Sequence, residues 1–458
     1  MQQKKIHLVL AVLATGIMSF SGVLIETAMN VTFPTLIMEF QVTTAMVQWV
    51  TTIYLLIISI MVPLANYLLK KFTLRQLFLA ANLFFLVGLL TDFLAPNFSI
   101  LLVGRVLQGV STGIALPLMF NIILTYTPLK NRGAMMGLGT MTTSIAPAIG
   151  PTYGGILTSA LSWHYIFLFL IPLMLVSLVL GLYAIPTMAV HSSAKLDWQS
   201  LLALGIFFCG ALIFLSYLSS WLGWIALAIA IVGLIVYLQR AKNVAEPLVN
   251  LAVLKKASFS TFLFGFLVCQ FLLLGISFIL PNFLQVVLGQ DAFIAGLVML
   301  PGATVGALLA PFSGRLLDNI GAKKPIIIGF SLSAMGWLAL ALLLKNPILW
   351  GFVAAHVTYM IGSGLCYSNL MTTGMNSLSE KDYGDGNTLF NTLQQFSGAV
   401  STAIVASIID LAQASQTDYQ QGTILGSQIA IFFLLALLLV ALLFCVRYFY
   451  GKKVRPVQ

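Results

Sequence analysis

Of the 34 formally charged residues in this chain, two stand well inside long apolar runs: Glu26 and Arg105. An ionised side chain at that depth costs roughly 2.5–3.5 kcal/mol on insertion scales, and intramembrane acids are functional by default. A carboxyl in such a place is suited to loading and releasing a proton. Glu26 falls late in the first run and Arg105 early in the fourth. If successive runs alternate in direction, both lie in the same half of one helical unit, where a guanidinium competes with the proton for the carboxylate. A movement that joins or separates them would gate proton release; the alternative is an arginine fixed by helix packing. Asp410 is the second coupling candidate. Asp92 and Asp410 both fall near the outer ends of their runs, where a solvated or interfacial role is expected. His356 lies within a run as well, and a neutral histidine making one hydrogen bond is the simpler account of it.

Polar and aromatic groups inside the runs supply candidate substrate contacts: Asn30, Tyr54, Asn121, Gln270, Asn282, Gln285, His356, Tyr367, Asn369, Asn391 and Gln395. An apolar path with a few such groups suits hydrophobic, drug-like molecules. Each is equally suited to ordinary hydrogen bonding between helices. No Ser/His/Asp set, metal-ligand spacing or nucleotide-binding loop is visible, so no enzyme, metal or cofactor is expected, with protons alone as coupling ion. Cys209, Cys269, Cys366 and Cys445 all fall in apolar stretches and read as small hydrophobes.

The elements that must position these residues follow from composition. The 458 residues are 60% apolar and only 7% charged, against about 25% charged in a soluble domain. That excludes a disordered chain and points to a polytopic membrane protein with almost nothing outside the bilayer. Fourteen apolar runs can be marked, from Leu8–Met29 through Ile100–Tyr126 and Ala134–Ser159 to Ile424–Val446. Lipid cannot satisfy an open backbone, and the period-two alternation of barrel strands is missing, so the runs are helices. The first reads as a retained helix, since no small-residue cleavage site follows it. With the N-terminus in the cytoplasm, strict alternation puts 20 of the 22 Lys and Arg on the cytoplasmic side. The net charge of +10 is therefore a topology signal, with both termini cytoplasmic, and not the mark of a nucleic-acid partner. The break after run 2, Ala65–Arg75, echoes the break after run 10, Ser313–Lys323. The chain thus reads as a six-helix bundle (residues 1–190), two inserted helices with a cytoplasmic linker (191–256) and a second six-helix bundle (257–458). Parallel halves of this kind are a transporter architecture. The connection Gln239–Ala257 is expected to lie as an amphipathic segment at the membrane surface, and Ser377–Gly386 to be a solvated loop.

Several motifs resemble the major facilitator superfamily, and within it the fourteen-span drug:proton antiporters of bacterial plasma membranes. Gly314-Arg315-Leu316-Leu317-Asp318-Asn319-Ile320-Gly321-Ala322-Lys323 matches the superfamily loop signature, Gly104-Arg105-Val106-Leu107-Gln108-Gly109 the fourth-span signature, and Ala146–Gly155 the antiporter signature. Ile25–Pro34, Pro281–Gln285 with Leu300-Pro301-Gly302, and Asn391–Gln395 are similar to the subfamily pattern. The resemblance implies an all-α major facilitator fold of fourteen transmembrane helices. It implies a seal against leak at Pro147, Gly150, Pro151, Gly154 and Gly155, and a conformational loop at Gly314, Arg315, Asp318 and Gly321. Glu26 stands where the family usually has Asp. Lys70 replaces the acid of the first loop signature, Asn66 and Thr73 its glycines, and His164 a common Arg.

The expectation is a monomeric, proton-coupled multidrug exporter working by alternating access, with hydrophobic drug-like substrates, protons and the bilayer as its partners. An exporter of a lipid or of one dedicated metabolite on the same fold is the nearest rival. A non-transporting sensor or scaffold is the rival from another class.

Overall fold

Runs of some twenty apolar residues without ladder partners must close their backbone hydrogen bonds within themselves, and the computed structural model is helical throughout. It describes residues 7–186, 196–244, 248–379 and 382–451. Among these are sixteen α-helices: α1 (Leu8–Phe40), α2 (Thr44–Val47), α3 (Trp49–Lys71), α4 (Leu74–Phe93), α5 (Phe98–Tyr126), α6 (Leu129–Ala160), α7 (His164–Leu168), α8 (Leu170–Ala184), α9 (Trp198–Ser216), α10 (Trp221–Asn243), α11 (Ala257–Val286), α12 (Ala292–Ile320), α13 (Lys323–Leu343), α14 (Leu349–Asn376), α15 (Tyr383–Ser415) and α16 (Tyr419–Gly451). Thirteen helical stretches, with α2–α3 and α7–α8 each counting as one, are long and apolar enough to cross a membrane. The fourteenth expected span is α6. It has the length, 32 residues, but Gly, Thr, Ser and Pro dilute its hydropathy. Its small-residue face packs between α1 and α12, so protein rather than lipid covers its polar groups.

Helix ends depart from the apolar runs. α1 continues past Met29, through Pro34, and stops at Gln41, whose φ of 53° places it in the left-handed region. Residues 30–34 are buried, so protein contacts extend a helix that hydropathy alone would end early. α15, from Tyr383 to Ser415, likewise outruns its apolar stretch, residues 388–411, at both ends. The expected Ser377–Gly386 loop is shorter than anticipated: Leu378 is buried, α15 begins at Tyr383, and Asp382 pairs with Lys256 at 2.9 Å. Glu380 and Lys381 lie outside the described residues. In the Gln239–Ala257 connection α10 runs on to Asn243 and a 3-10 turn spans Leu251–Lys255. Val249 and Val253 point inward there while Leu254 and Lys255 are exposed, as an amphipathic segment requires; residues 245–247 lie outside the described ones, as do 187–195.

α1, α3–α6 and α8 pack on one another, as do α11–α16. α9 and α10 form a hairpin whose α9 touches α3 and α15. His7 N–H donates to Ala184 O, tying the start of α1 to the end of α8. The two groups meet chiefly through α6 with α12 and α3 with α15, and less through α1 with α11.

α12 ends at Gly321, with φ 75° and ψ 170°, a backbone region essentially closed to side-chain-bearing residues. Gly321→Ala is expected to cost about 1–3 kcal/mol and to lower the melting temperature of the detergent-purified protein.

Candidate functional site

Glu26 and Asn30 are one helical turn apart and share a face of α1. Opposite them, α5 presents Arg105, Gln108 and Thr112 at spacings of three and four, and α3 presents Thr51 and Tyr54. Arg105 is fully buried. Its Nε donates to Val50 O at 2.8 Å and its Nη1 to Gln108 Oε1 at 2.6 Å. The guanidinium carbon lies 4.3 Å from the centre of the Tyr54 ring, a cation–π contact that adds to the hydrogen bonds. Tyr54 donates to Thr112 Oγ1 at 2.9 Å, and Thr51 to Asn30 Oδ1 at 2.8 Å. Glu26 is 6% exposed. It makes no hydrogen bond or ion pair with a described residue; the two described salt bridges are Arg240–Asp197 and Lys256–Asp382. Glu26 and Arg105 thus share a helical unit without the direct pair that their positions suggested.

Asp92 corrects the expectation of a solvated or interfacial group. It is fully buried in the last turn of α4, and its Oδ2 accepts from Gln108 Nε2 at 2.8 Å. The cause is a close approach of α4 to α5. A Cβ on Gly104 would fall 1.8 Å from Asp92 Oδ1, so the glycine before Arg105 is what lets the carboxylate in.

In the second group Tyr367 donates to Gln270 Oε1 at 2.7 Å and accepts from Gln394 Nε2 at 2.7 Å, with its ring stacked on Phe266 at 4.5 Å. Asn282 is buried with neither amide atom partnered. Asn121, Asn391 and Gln395 are partly exposed, and Asn391 bonds within its own helix to Asn387. Two other candidates are packing groups. Asn369 donates to Ser313 Oγ and Leu365 O, both at 2.8 Å, and so joins α14 to α12. His356 is buried against Gly302 in the same helix contact with its Nδ1 unpartnered, and the one hydrogen bond expected of its ring is not seen with any described residue.

The hydrogen bonds between the two groups cluster at one end of the bundle, where α1, α6, α11 and α15 finish and α2, α3 and α12 begin. Gln285 Nε2 donates to Val31 O (2.8 Å), Thr44 Oγ1 to Gln413 Oε1 (2.7 Å), Ala45 N to Asp410 Oδ1 (3.2 Å) and Phe293 N to Ser159 Oγ (3.1 Å). Thr52 and Thr402 hydroxyls meet at 3.0 Å. Asp410 also lines a cavity of about 220 Å³ with Ser216, Ser219, Ser220 and Ser407. Near this end of α6, Gly150, Pro151, Gly154 and Gly155 are buried and Pro147 is half-buried, Gly150 and Gly154 against α1 and Pro151 and Gly155 against α12. A Cβ on Gly154 would fall 2.4 Å from Ala28 O, and one on Gly155 2.3 Å from Ala292 O. At the opposite end, Arg315 lies 5.9 Å over the Phe312 ring and Gly314 has open space around it, while the Asp318 side chain lies outside those described.

Among the described residues no His, Cys, Asp and Glu cluster suited to a metal occurs. Cys269 and Cys366 lie 3.7 Å apart as free thiols, buried with Cys445; Cys209 is half-buried.

Helices in two groups about a polar seam, held together at one end, are a transporter architecture. The pattern of the Major Facilitator Superfamily matches residues 15–402, and the chain belongs to that family as a multi-pass membrane transporter. It is 33% identical over 425 residues to the lincomycin resistance protein LmrB of Bacillus subtilis (strain 168), covering 91% of this chain and 88% of the relative. It is 28% identical over 376 residues to the colistin resistance protein EmrB of Acinetobacter baumannii, covering 80% and 73%. Its fold matches a bacterial homologue of the human lysosomal transporter Spinster, solved inward-facing and unoccupied, with a TM-score of 0.69 at 16% identity over 98% of this chain and 99% of that one. The chain is therefore related to drug-resistance transporters across nearly its whole length.

Proposed function

We propose that this transporter is a proton-coupled exporter of hydrophobic, in part cationic, drug-like compounds in the bacterial plasma membrane, acting as a monomer by alternating access. The observation that carries the reading is Glu26, a carboxyl in an apolar helix, beside the polar seam and outside any ion pair with a described residue. The resistance proteins to which the chain is related support the substrate class. The basic residues between spans support a cytoplasmic location for both termini. On that orientation the closed end is the outer one, and the arrangement described here is inward-facing. In the cycle, Glu26 gives up its proton to the cytoplasm and substrate enters between the halves. The α6–α12 and α3–α15 contacts then part on the outer side, where substrate leaves and an external proton returns to Glu26. Asp410, at the outer contact, is the second acid on the proton's route.

Moving one unit charge across 100 mV is worth about 2.3 kcal/mol. One proton exchanged for one monovalent cation moves no net charge, so a pH gradient alone should drive export of a cationic drug. Export of a neutral drug should respond to membrane potential as well. Proteoliposome transport of a panel containing lincomycin and monovalent cationic dyes, under each gradient separately, tests this. Failure of every compound to move with either gradient would remove the proposal.

A further inference from the structure

The first helical group holds one cation and two carboxyls within its spans: Arg105, Glu26 and Asp92. Glu39, at the end of α1, is held apart by Trp163 Nε1 at 2.7 Å. In surroundings this apolar one cation balances one carboxylate. The geometry decides which. Gln108 turns its amide oxygen to the Arg105 guanidinium and therefore its NH2 to Asp92. An amide NH2 only donates, so Asp92 Oδ2 accepts. Asp92 Oδ1 sits against Gly104 and has no hydrogen-bond partner that could take a proton from it. We propose that Asp92 is the standing counter-ion of Arg105, linked to it through Gln108, and that it thereby leaves Glu26 as the carboxyl free to exchange a proton.

The neighbours fit this division. The titratable groups facing the network are Glu26 from α1, Tyr54 from α3, and His164 and Tyr165 from α7. His164 Nε2 lies 3.4 Å from Ala95 O, and Tyr165 packs on Phe93. The one such group of α8, Tyr183, stacks on His7 at the other end of the bundle. Among the described residues none of them forms a hydrogen bond or ion pair with Asp92, whose one described partner is Gln108. Arg105 Nη2 is buried without a partner. It is the donor that would turn to Glu26 if Asp92 were neutralised. The signature Gly104-Arg105-x-x-Gln108 then has a physical reading: the glycine admits the carboxylate, the arginine supplies the charge, and the glutamine joins them.

The inference rests on the proton-coupled reading of Glu26 but is tested without substrate. Infrared spectra of the purified full-length protein in D2O follow the carbonyl band of protonated, water-shielded carboxyls through a pD titration. Wild type should show a band that Glu26→Gln removes. At the pD where that band is half-developed, Asp92→Asn should reduce it to roughly a tenth, as a bare cation beside Glu26 would. Gln108→Leu, which breaks the link but removes no charge, should lower it in the same direction. It serves as the test if Asp92→Asn does not fold. A band that survives Glu26→Gln and vanishes in Asp92→Asn would overturn the assignment. So would Asp92→Asn and Gln108→Leu spectra with the Glu26 band at wild-type height, the result of a merely structural Asp92. Drug transport that fails while the infrared assignment holds would overturn the proposed function alone.

Discussion

Glu26→Gln should abolish the pH-driven accumulation of drug in inverted vesicles while leaving drug exchange between equal pools. A gradient of one pH unit carries about 1.4 kcal/mol per proton, enough for a roughly tenfold concentration ratio at one proton per drug. A glutamine at position 26 carries no exchangeable proton, so the ratio should fall to about one. Exchange needs only the alternation of the two halves, not a proton, and should persist. The variant should also fold. Glu26 makes no ion pair with a described residue whose loss would strand a charge, and a neutral amide costs less in an apolar span than a carboxylate. The assay is tracer uptake with an imposed pH step, beside counterflow at zero gradient. Accumulation in Glu26→Gln equal to wild type would remove Glu26 from the mechanism. Loss of both activities would make it a substrate or folding residue instead.

The architecture was legible because charge is scarce. With so few ionic residues, the alternation of Lys and Arg marks the loops, and the two charges left inside spans mark the first helical group's polar seam. What the sequence hid depends on rotation and close approach. Asp92 ends an apolar run, and nothing in the run says whether that end meets water or another helix. The answer lies in Gly104 on a different helix. Gln394 and Gln395 are adjacent, yet successive helical residues point about 100° apart. Only packing reveals that Gln394 reaches Tyr367 while Gln395 does not. Asn369 and His356 had the residue types of a binding site but face the α12–α14 contact. For α6 the antiporter signature marked a helix that hydropathy undervalues, because its face is turned to protein.

That face carries the second large effect. Gly155→Val should pry α6 from α12 and open the end of the bundle where the two groups are hydrogen-bonded. Even the Cβ of the new side chain would lie 2.3 Å from Ala292 O, a backbone atom that cannot rotate away. Non-bonded atoms settle near 3.5–4.0 Å, so the helices must separate by roughly 1 Å or the new residue must distort its own turn. Overpacking of this kind costs about 1–3 kcal/mol. Gly154→Val presses instead on Ala28 O of α1, within its own helical group, and should destabilise without opening the contact between groups. The two variants therefore share a lowered melting temperature but differ in leak. Proteoliposomes with an imposed pH gradient should lose it faster with Gly155→Val than with Gly154→Val or wild type. Gly314→Ala is the control, since nothing lies within 4 Å of its Cβ position and alanine is the better helix former by about 1 kcal/mol. Its melting temperature should be unchanged or raised. A Gly155→Val protein that holds the gradient as well as wild type would show that the α6–α12 contact is packing only, and that the seal lies at α3–α15.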